Sequence, residues 1–259
     1  MLRKNSRRKD PEMKDTVKPE NMRIVVIGGG PAGMMAAVSA ADCGACVILL
    51  EKNEKLGKKL YITGKGRCNL TNSCAEEDFF DHVVSNGKFL YSSIYAFPAG
   101  QVCAFFEAEG LRLKEERGGR IFPVSDKSSD VIKAMEKALQ ERNVQIRLRT
   151  EVKELLLSDG KVQGVLLSDN TRINADAVIV ATGGLSYRST GSTGDGYRFA
   201  QQTGHRITDP LPSLTALTVR EEYVKQLEGL SLRNIEIRME NFREFGEMLF
   251  TAEIGRAHV

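Results

Sequence analysis

The sequence predicts an α/β protein: a parallel sheet flanked by helices, a β-meander attached to it, and the start of a second, β-rich domain. Three observations predict it. Apolar runs at 24–27 and 46–50 enclose a stretch of small residues with helical character. Short β-type segments joined by Ser-Asp-Gly and Ser-Asp-Asn turns fill 145–173. The composition then shifts at Asp209, where Pro210 and Pro212 mark a linker.

Taken in order, residues 1–22 hold seven Lys/Arg and four Asp/Glu, so the net charge of +3 sits there and the remaining 30 of each sign cancel. That predicts a disordered basic tail over 1–21. The balanced body predicts no nucleic-acid partner. No apolar h-region opens the chain and no apolar run reaches bilayer-spanning length, which predicts a cytoplasmic protein with no membrane partner. With 259 residues, 41% of them hydrophobic, the chain can bury one large core or two smaller ones. Five cysteines without a secretory signal predict free thiols. Cys43 and Cys46 form a CxxC, but no second ligand pair has metal-site spacing, so no metal is expected.

The strand Ile24–Ile27 runs straight into Gly28-Gly29-Gly30-Pro31-Ala32-Gly33. A small-residue helix follows to about Asp42, and a second strand, Cys46–Leu50, ends on Glu51. A βαβ unit with GxGxxG at Gly28, Gly30 and Gly33, and an acid at the next strand end, is the fingerprint of a Rossmann-like dinucleotide site. Gly28 makes the tight turn, Gly30 lets the backbone approach a pyrophosphate, and Gly33 lets helix and strand pack closely. The helix N-terminus at Pro31 and Ala32 offers free N–H groups and a positive dipole to phosphates. Glu51 can accept hydrogen bonds from both ribose hydroxyls of an adenosine.

Residues 61–72 carry glycines, polar side chains and cations, which suits a loop folded over a phosphate or ribityl chain. Residues 76–109 read as helical, their aromatics as core packing. Leu111–Lys114 and Arg120–Phe122 read as short strands around Gly118-Gly119. Ser128 or Ser129 caps a helix with Val131, Ile132, Met135 and Leu139 on one face. The β-type segments are Gln145–Leu148, Glu151–Leu157, Lys161–Leu167 and Thr171–Ile173. Asp176–Ala181 is apolar throughout, as in a strand covered on both faces, and it ends on Thr182-Gly183-Gly184. A second glycine-rich stretch, Thr190–Gly196, opens a helix over Tyr197–Gln202 and suits an anionic or polar ligand. Past the linker, the pattern predicts a strand Leu214–Val219, a helix Glu221–Leu227, and strands near Ile235–Met239 and Met248–Phe250. The boundaries are therefore a tail over 1–21, a nucleotide-binding domain over 22–208, the start of an inserted domain over 209–252, and a non-native tail over 253–259.

Several blocks together resemble the BaiN/YhiN-like flavoproteins, a family of the two-dinucleotide-binding-domain type. They are Gly64-Lys65-Gly66-Arg67-Cys68-Asn69-Leu70-Thr71-Asn72, Arg120-Ile121-Phe122-Pro123, Gly183-Gly184-Leu185-Ser186-Tyr187, Thr190 to Gly196, and Gly246-Glu247-Met248-Leu249-Phe250-Thr251. The resemblance covers about 22–252. It implies non-covalent FAD, with Gly28, Gly30, Gly33 and Glu51 on the ADP half and Lys52 adding cationic character. Lys59, Gly64, Arg67, Cys68 and Asn69 would meet the pyrophosphate and ribityl region. Val152 would meet the adenine through its backbone, and Ala181, Thr182 and Gly183 would pack by the ribose. It further implies an FAD-dependent oxidoreductase with NAD(P)H as electron donor, reducing a conjugated C=C bond in a small-molecule substrate of the 3-oxo bile-acid or steroid type. An aminoacetone-type amine oxidase and a non-catalytic flavin-binding module are the alternatives.

Cys68, between Arg67 and Asn69 with Lys65 nearby, is expected to have a lowered pKa and to be reactive. A dithiol mechanism with Cys74 is not favoured. It needs a further GxGxxG after the 176–181 strand, where the glycines run 191, 194, 196. Arg188 stands where the family usually has Pro, and no catalytic acid or base can be named; Tyr187 and Arg120 lie in motif loops. Family members run on and return to the first domain, so the resemblance implies an incomplete FAD-binding domain here. Nothing in the sequence sets the oligomeric state.

Overall fold

A computed structural model describes residues 22–212, 220–240 and 242–251. The chain opens with β1 (Arg23–Ile27), α1 (Pro31–Asp42) and β2 (Cys46–Leu50), followed by the short α2 (Lys58–Ile62), a 3-10 turn over Thr63–Gly66, and β3 (Thr71–Asn72). The helical stretch expected over 76–109 divides into α3 (Glu76–Asp81), α4 (Gly87–Ala96) and α5 (Ala99–Ala108). Then come β4 (Leu113–Glu116), β5 (Arg120–Pro123), α6 (Ser128–Glu141), β6 (Gln145–Arg147), β7 (Val152–Ser158), β8 (Lys161–Leu167), β9 (Arg172–Asn174), β10 (Ala177–Val180) and α7 (Asp195–Gln202).

The central sheet is parallel, in the order β10-β1-β2-β6. Its two faces are covered differently, because successive side chains of a strand point to opposite faces. Val26 and Leu49 join Met34 and Val38 of α1 and Val131, Met135 and Leu139 of α6 in one core. Val25, Ile27 and Leu50 join Val152, Leu155 and Val165 of the meander and Phe199 of α7 in the other. The meander β7-β8-β9 is antiparallel, as its tight turns require. A small antiparallel sheet, β3-β5-β4, stands apart from the parallel one.

Two expectations change. The apolar strand at 176–181 is not buried on both faces: β10 is the edge of the sheet among the described residues, pairs only with β1, and leaves Val180 40% exposed. Its run of apolar residues reflects β-propensity as much as burial. The stretch Gly87–Ala108 is also, by length and composition, apolar enough to cross a membrane, with mean hydropathy 1.2, although no such run was expected. Pro98 caps α5 and separates it from α4, so two ten-residue helices stand where one of about 20 residues would be needed.

The chain divides into two compact units between Ile207 and Thr208. In the second, Glu222–Leu227 forms a 3-10 turn rather than an α-helix. It precedes the antiparallel pair β11 (Ser231–Met239) and β12 (Phe242–Leu249), in which Met248 pairs with Leu232. The expected strand at 214–219 and the terminal segments 1–21 and 253–259 lie outside the described residues.

Candidate functional site

The parallel strands β1 and β2 end side by side, and the loops leaving them must diverge. The Gly28 N–H donates to Leu50 O at 2.8 Å, and the Ala181 N–H donates to Ile27 O at 2.8 Å, so the ends of β1, β2 and β10 are pinned together. Gly28 has φ +109°, and a Cβ there would lie 2.4 Å from Ala181 O. Only glycine turns the chain at that point. Gly33 has a different task. A Cβ there would stand 1.8 Å from Gly28 O, so its absence lets α1 sit directly on the turn.

Above these strand ends lies a cavity of about 280 Å³. One wall is the turn and the start of α1, with Gly28, Gly30, Pro31 and Ala32. A second is the end of β2 and the start of α2, with Glu51, Lys52 and Lys59. A third combines Val152 at the start of β7 with Ala181, Thr182 and Gly183 after β10. The fourth is the loop before α7, with Thr190, Gly191, Ser192 and Asp195. The sequence-predicted residues in the first three walls are thus brought together. Gly33 packs beneath the site. Gly64, Arg67, Cys68 and Asn69 do not line the cavity.

Gly30 shows what the cavity is shaped for. Its φ is −79°, open to any residue, and a Cβ there meets no protein atom within 4 Å. Neither strain nor collision with the protein demands glycine. The space a side chain would occupy is the cavity itself, beside the N-terminus of α1, where free N–H groups and the helix dipole attract anions. The Oγ1 atom of Thr182, in the opposite wall, is buried with no hydrogen-bond partner. An unsatisfied buried hydroxyl in a cavity wall is the kind of group a bound polar ligand completes.

Glu51 is 8% exposed. Its Oε2 accepts from the Gly29 N–H at 2.7 Å, and its Oε1 accepts from both the N–H and the Nδ2 of Asn53, each at 2.7 Å. Lys52 turns to the loop before α7, where Nζ donates to Thr193 Oγ1 at 2.6 Å and to Asp195 Oδ2 at 2.7 Å. Burial pushes the Asp195 carboxyl up, but the bonds from Lys52 and Thr193 outweigh it and hold it below the usual carboxylate range. The Lys52 charge is thereby committed to Asp195. Lys59 donates to Ser186 Oγ at 3.2 Å, and burial pushes its ammonium below the ordinary lysine range.

Arg67 lies elsewhere. It is hydrogen-bonded to Glu116, donates from Nε to Asp126 at 2.8 Å, and stacks 4.1 Å from the Phe122 ring centre. Its charge is balanced by the carboxylates of Glu116, in β4, and Asp126, just after β5. Cys68 is 4% exposed and belongs to the α1–α6 core; burial pushes its thiol up, against a smaller opposing effect of a hydrogen bond with Thr63. The expected lowering by Lys65 and Arg67 is therefore corrected, since desolvation disfavours the thiolate and Arg67 is already paired. Asn53, Lys58, Thr150, Glu151 and Phe199 line the cavity without having been singled out from the sequence. The glycines of 190–196 were the signal for the fourth wall.

A dinucleotide fits this arrangement. Phosphates would meet the open space at Gly30, a ribose hydroxyl the Glu51 carboxylate, and an adenine the backbone of Val152. The family model described as HI0933-like protein Rossmann domain matches residues 22–254. A 3-dehydro-bile acid delta(4,6)-reductase of Clostridium scindens is 37% identical over 211 residues, covering 80% of this chain and 50% of that protein. A ribosomal RNA dihydrouridine synthase of Haemophilus influenzae is 28% identical over 231 residues, covering 88% of this chain and 57% of that one. Among solved structures, Mycobacterium smegmatis Sdh1 in complex with UQ1 aligns with a TM-score of 0.55 at 25% identity, over 71% of this chain and 38% of that one. The chain spans about half the length of the curated relatives it matches.

Proposed function

The chain belongs to the HI0933-like Rossmann family, and from that premise we propose that it is an FAD-dependent oxidoreductase that reduces a C=C bond conjugated to a carbonyl. The observation that carries the cofactor is the cavity, with its glycine cradle at Gly30 and the Glu51 carboxylate at the next strand end. Gly30, Pro31 and Ala32 would hold the pyrophosphate, Glu51 the adenosine ribose, and Lys59 would supply a positive charge to the phosphates. Thr182 would complete its hydrogen bonding on a ligand oxygen. Bound FAD supplies the two-electron chemistry, and the protein's work is to hold and orient it.

The bond class comes from the relatives. A delta(4,6) double-bond system beside a 3-dehydro carbonyl and the uridine double bond lost in dihydrouridine are both conjugated to a C=O group. Reduction of either adds a hydride equivalent at the carbon remote from the carbonyl and a proton at the adjacent one. With a nicotinamide donor, the net change is NAD(P)H and a proton consumed, the saturated carbonyl and NAD(P)⁺ formed. The substrate is a small enone of the 3-oxo steroid type. Its support is the greater identity to the bile-acid reductase and a body whose charges cancel beyond residue 22. Reduction of a uridine in RNA is the second reading, favoured by the dihydrouridine synthase relative.

The test is stepwise. The purified chain should bind FAD with a shifted visible flavin spectrum, NADH or NADPH should bleach it anaerobically, and a 3-oxo-Δ4 steroid should restore it. Restoration by uridine-containing RNA and not by the steroid would select the second reading. A chain that leaves added FAD unbound would refute the cofactor.

A further inference from the structure

We propose that Asn53 is a positioning residue: it aims the Glu51 carboxylate into the cavity and ties it to the loop before α7, making the adenosine subsite and its covering loop one unit. The inference rests on the FAD reading of the cavity. The dinucleotide fingerprint asks for glycines and an acid and makes no demand two residues beyond the acid. Yet the Asn53 amide is fully engaged there. Its Nδ2 donates to Glu51 Oε1 at 2.7 Å and to Thr190 O at 3.2 Å, and its Oδ1 accepts from Lys58 Nζ at 3.3 Å. These partners fix which way the amide points. Turned over, its oxygen would face a carboxylate and a carbonyl while its NH₂ faced an ammonium.

The consequence for Glu51 follows from counting acceptor sites. An ionised carboxylate has about four lone-pair positions. Gly29 N–H, Asn53 N–H and Asn53 Nδ2 occupy three of them. The side chain is thereby locked in rotation, with its remaining acceptor position free for a ribose hydroxyl. The same Nδ2 holds Thr190, and the loop is built to receive it. Gly191 has φ +99°, and a Cβ there would lie 2.5 Å from Asn53 Nδ2. Only a residue without a side chain lets the loop close on the amide. Lys52 adds a second tie from the same strand end to Asp195. A ligand that uses Glu51 therefore meets a loop already drawn in over it.

The test uses the whole chain and two probes, FAD and ADP, the latter reporting the adenosine half alone. Asn53→Ala should weaken both by the same factor, about tenfold, as for loss of a hydrogen bond to a charged group. Asn53→Asp keeps the volume and the Lys58 partner but turns the donor into an acceptor, so it should bind ADP more weakly than Asn53→Ala does. A residue that merely fills space would give the opposite order. In a Glu51→Ala background, Asn53→Ala should cost less than about twofold, because the acceptor it positions is gone. Equal cost in both backgrounds, or parental ADP affinity in Asn53→Asp, overturns the proposal. A parent that binds FAD and ADP beside an unchanged Asn53→Ala also overturns it and leaves the cofactor reading standing. A parent that binds neither probe overturns both.

Discussion

Gly30→Ala separates a glycine kept for a ligand from one kept for the fold. The substitution adds one methyl. At φ −79° it causes no backbone strain, and no protein atom lies within 4 Å of the new Cβ. Two small effects act on the free protein. Alanine stiffens the unfolded chain, which stabilises by about 0.4–1 kcal/mol, while alanine is a poorer N-cap than glycine by a similar amount. They offset each other, so the melting temperature without ligand should move by no more than about 2–4 °C. With ligand the methyl occupies space meant for phosphate. Forcing one methyl into a filled site costs about 1–3 kcal/mol, which is roughly a 5- to 150-fold loss of FAD affinity. Gly33→Ala provides the contrast. Its Cβ would stand 1.8 Å from Gly28 O, so it should lower the melting temperature by several degrees before any ligand is added. The assays are thermal unfolding without ligand and fluorescence titration with FAD. If Gly30→Ala binds FAD like the parent and melts like it, phosphates do not come to Gly30 and the assignment of the cradle fails.

Three further outcomes are expected. Glu51→Ala should weaken FAD by about 1–3 kcal/mol, the range for leaving polar partners unsatisfied, and equal FAD affinity in a titration against the parent would refute its role. Burial pushes the Lys59 ammonium down, so it loses its proton at a lower pH than an ordinary lysine at about 10.4. As pH rises through that lowered value the charge facing the phosphates disappears, and FAD affinity should fall; Lys59→Arg, always charged, should flatten the profile, and identical profiles would exclude Lys59 from the phosphate site. Burial pushes the Cys68 thiol up while Cys43 and Cys46 are exposed, so a maleimide should label those two first and Cys68 last, as peptide mapping would show.

The βαβ unit was legible because every requirement on it is local. Gly28 must turn with positive φ, Gly33 must admit the helix, and both constraints act over a few residues of sequence. The meander was legible for the same reason, its turns at 158–160 and 168–170 being short and its strands adjacent. What the sequence could not give is the partner across space. The apolar run at 176–181 reads the same whether a strand is central or at an edge, and β10 is an edge because only β1 pairs with it among the described residues. The aromatic stretch at 76–109 read as core. Yet α3 and α4 hold no buried residue, and Phe89 is 85% exposed. Periodicity shows that a helix has an apolar face and does not show what covers it.

In the site, the difference between Lys52 and Arg67 shows where charge reasoning stops. Arg67 was read as a cation for the pyrophosphate and Lys52 as cationic character beside the ADP half, and both are held by carboxylates far away in sequence: Asp195 lies 143 positions from Lys52, and Glu116 lies 49 from Arg67. Lys52 still lines the cavity, so its ion pair binds one wall to another. Arg67 sits over Phe122 and braces the small sheet instead. Among the described residues, the cation left in the cavity wall without a paired carboxylate is Lys59, which donates to the neutral Ser186 hydroxyl and whose lowered pKa reflects burial. An ammonium held partly out of water without a counter-ion is stabilised by any anion that arrives. Substituting it should therefore cost more affinity for FAD or ADP than removing Arg67, although Arg67 lies in the more distinctive motif. A larger FAD loss in Arg67→Met than in Lys59→Met, with both folded, would show that the 63–69 turn reaches the flavin and that the cavity walls named here are incomplete.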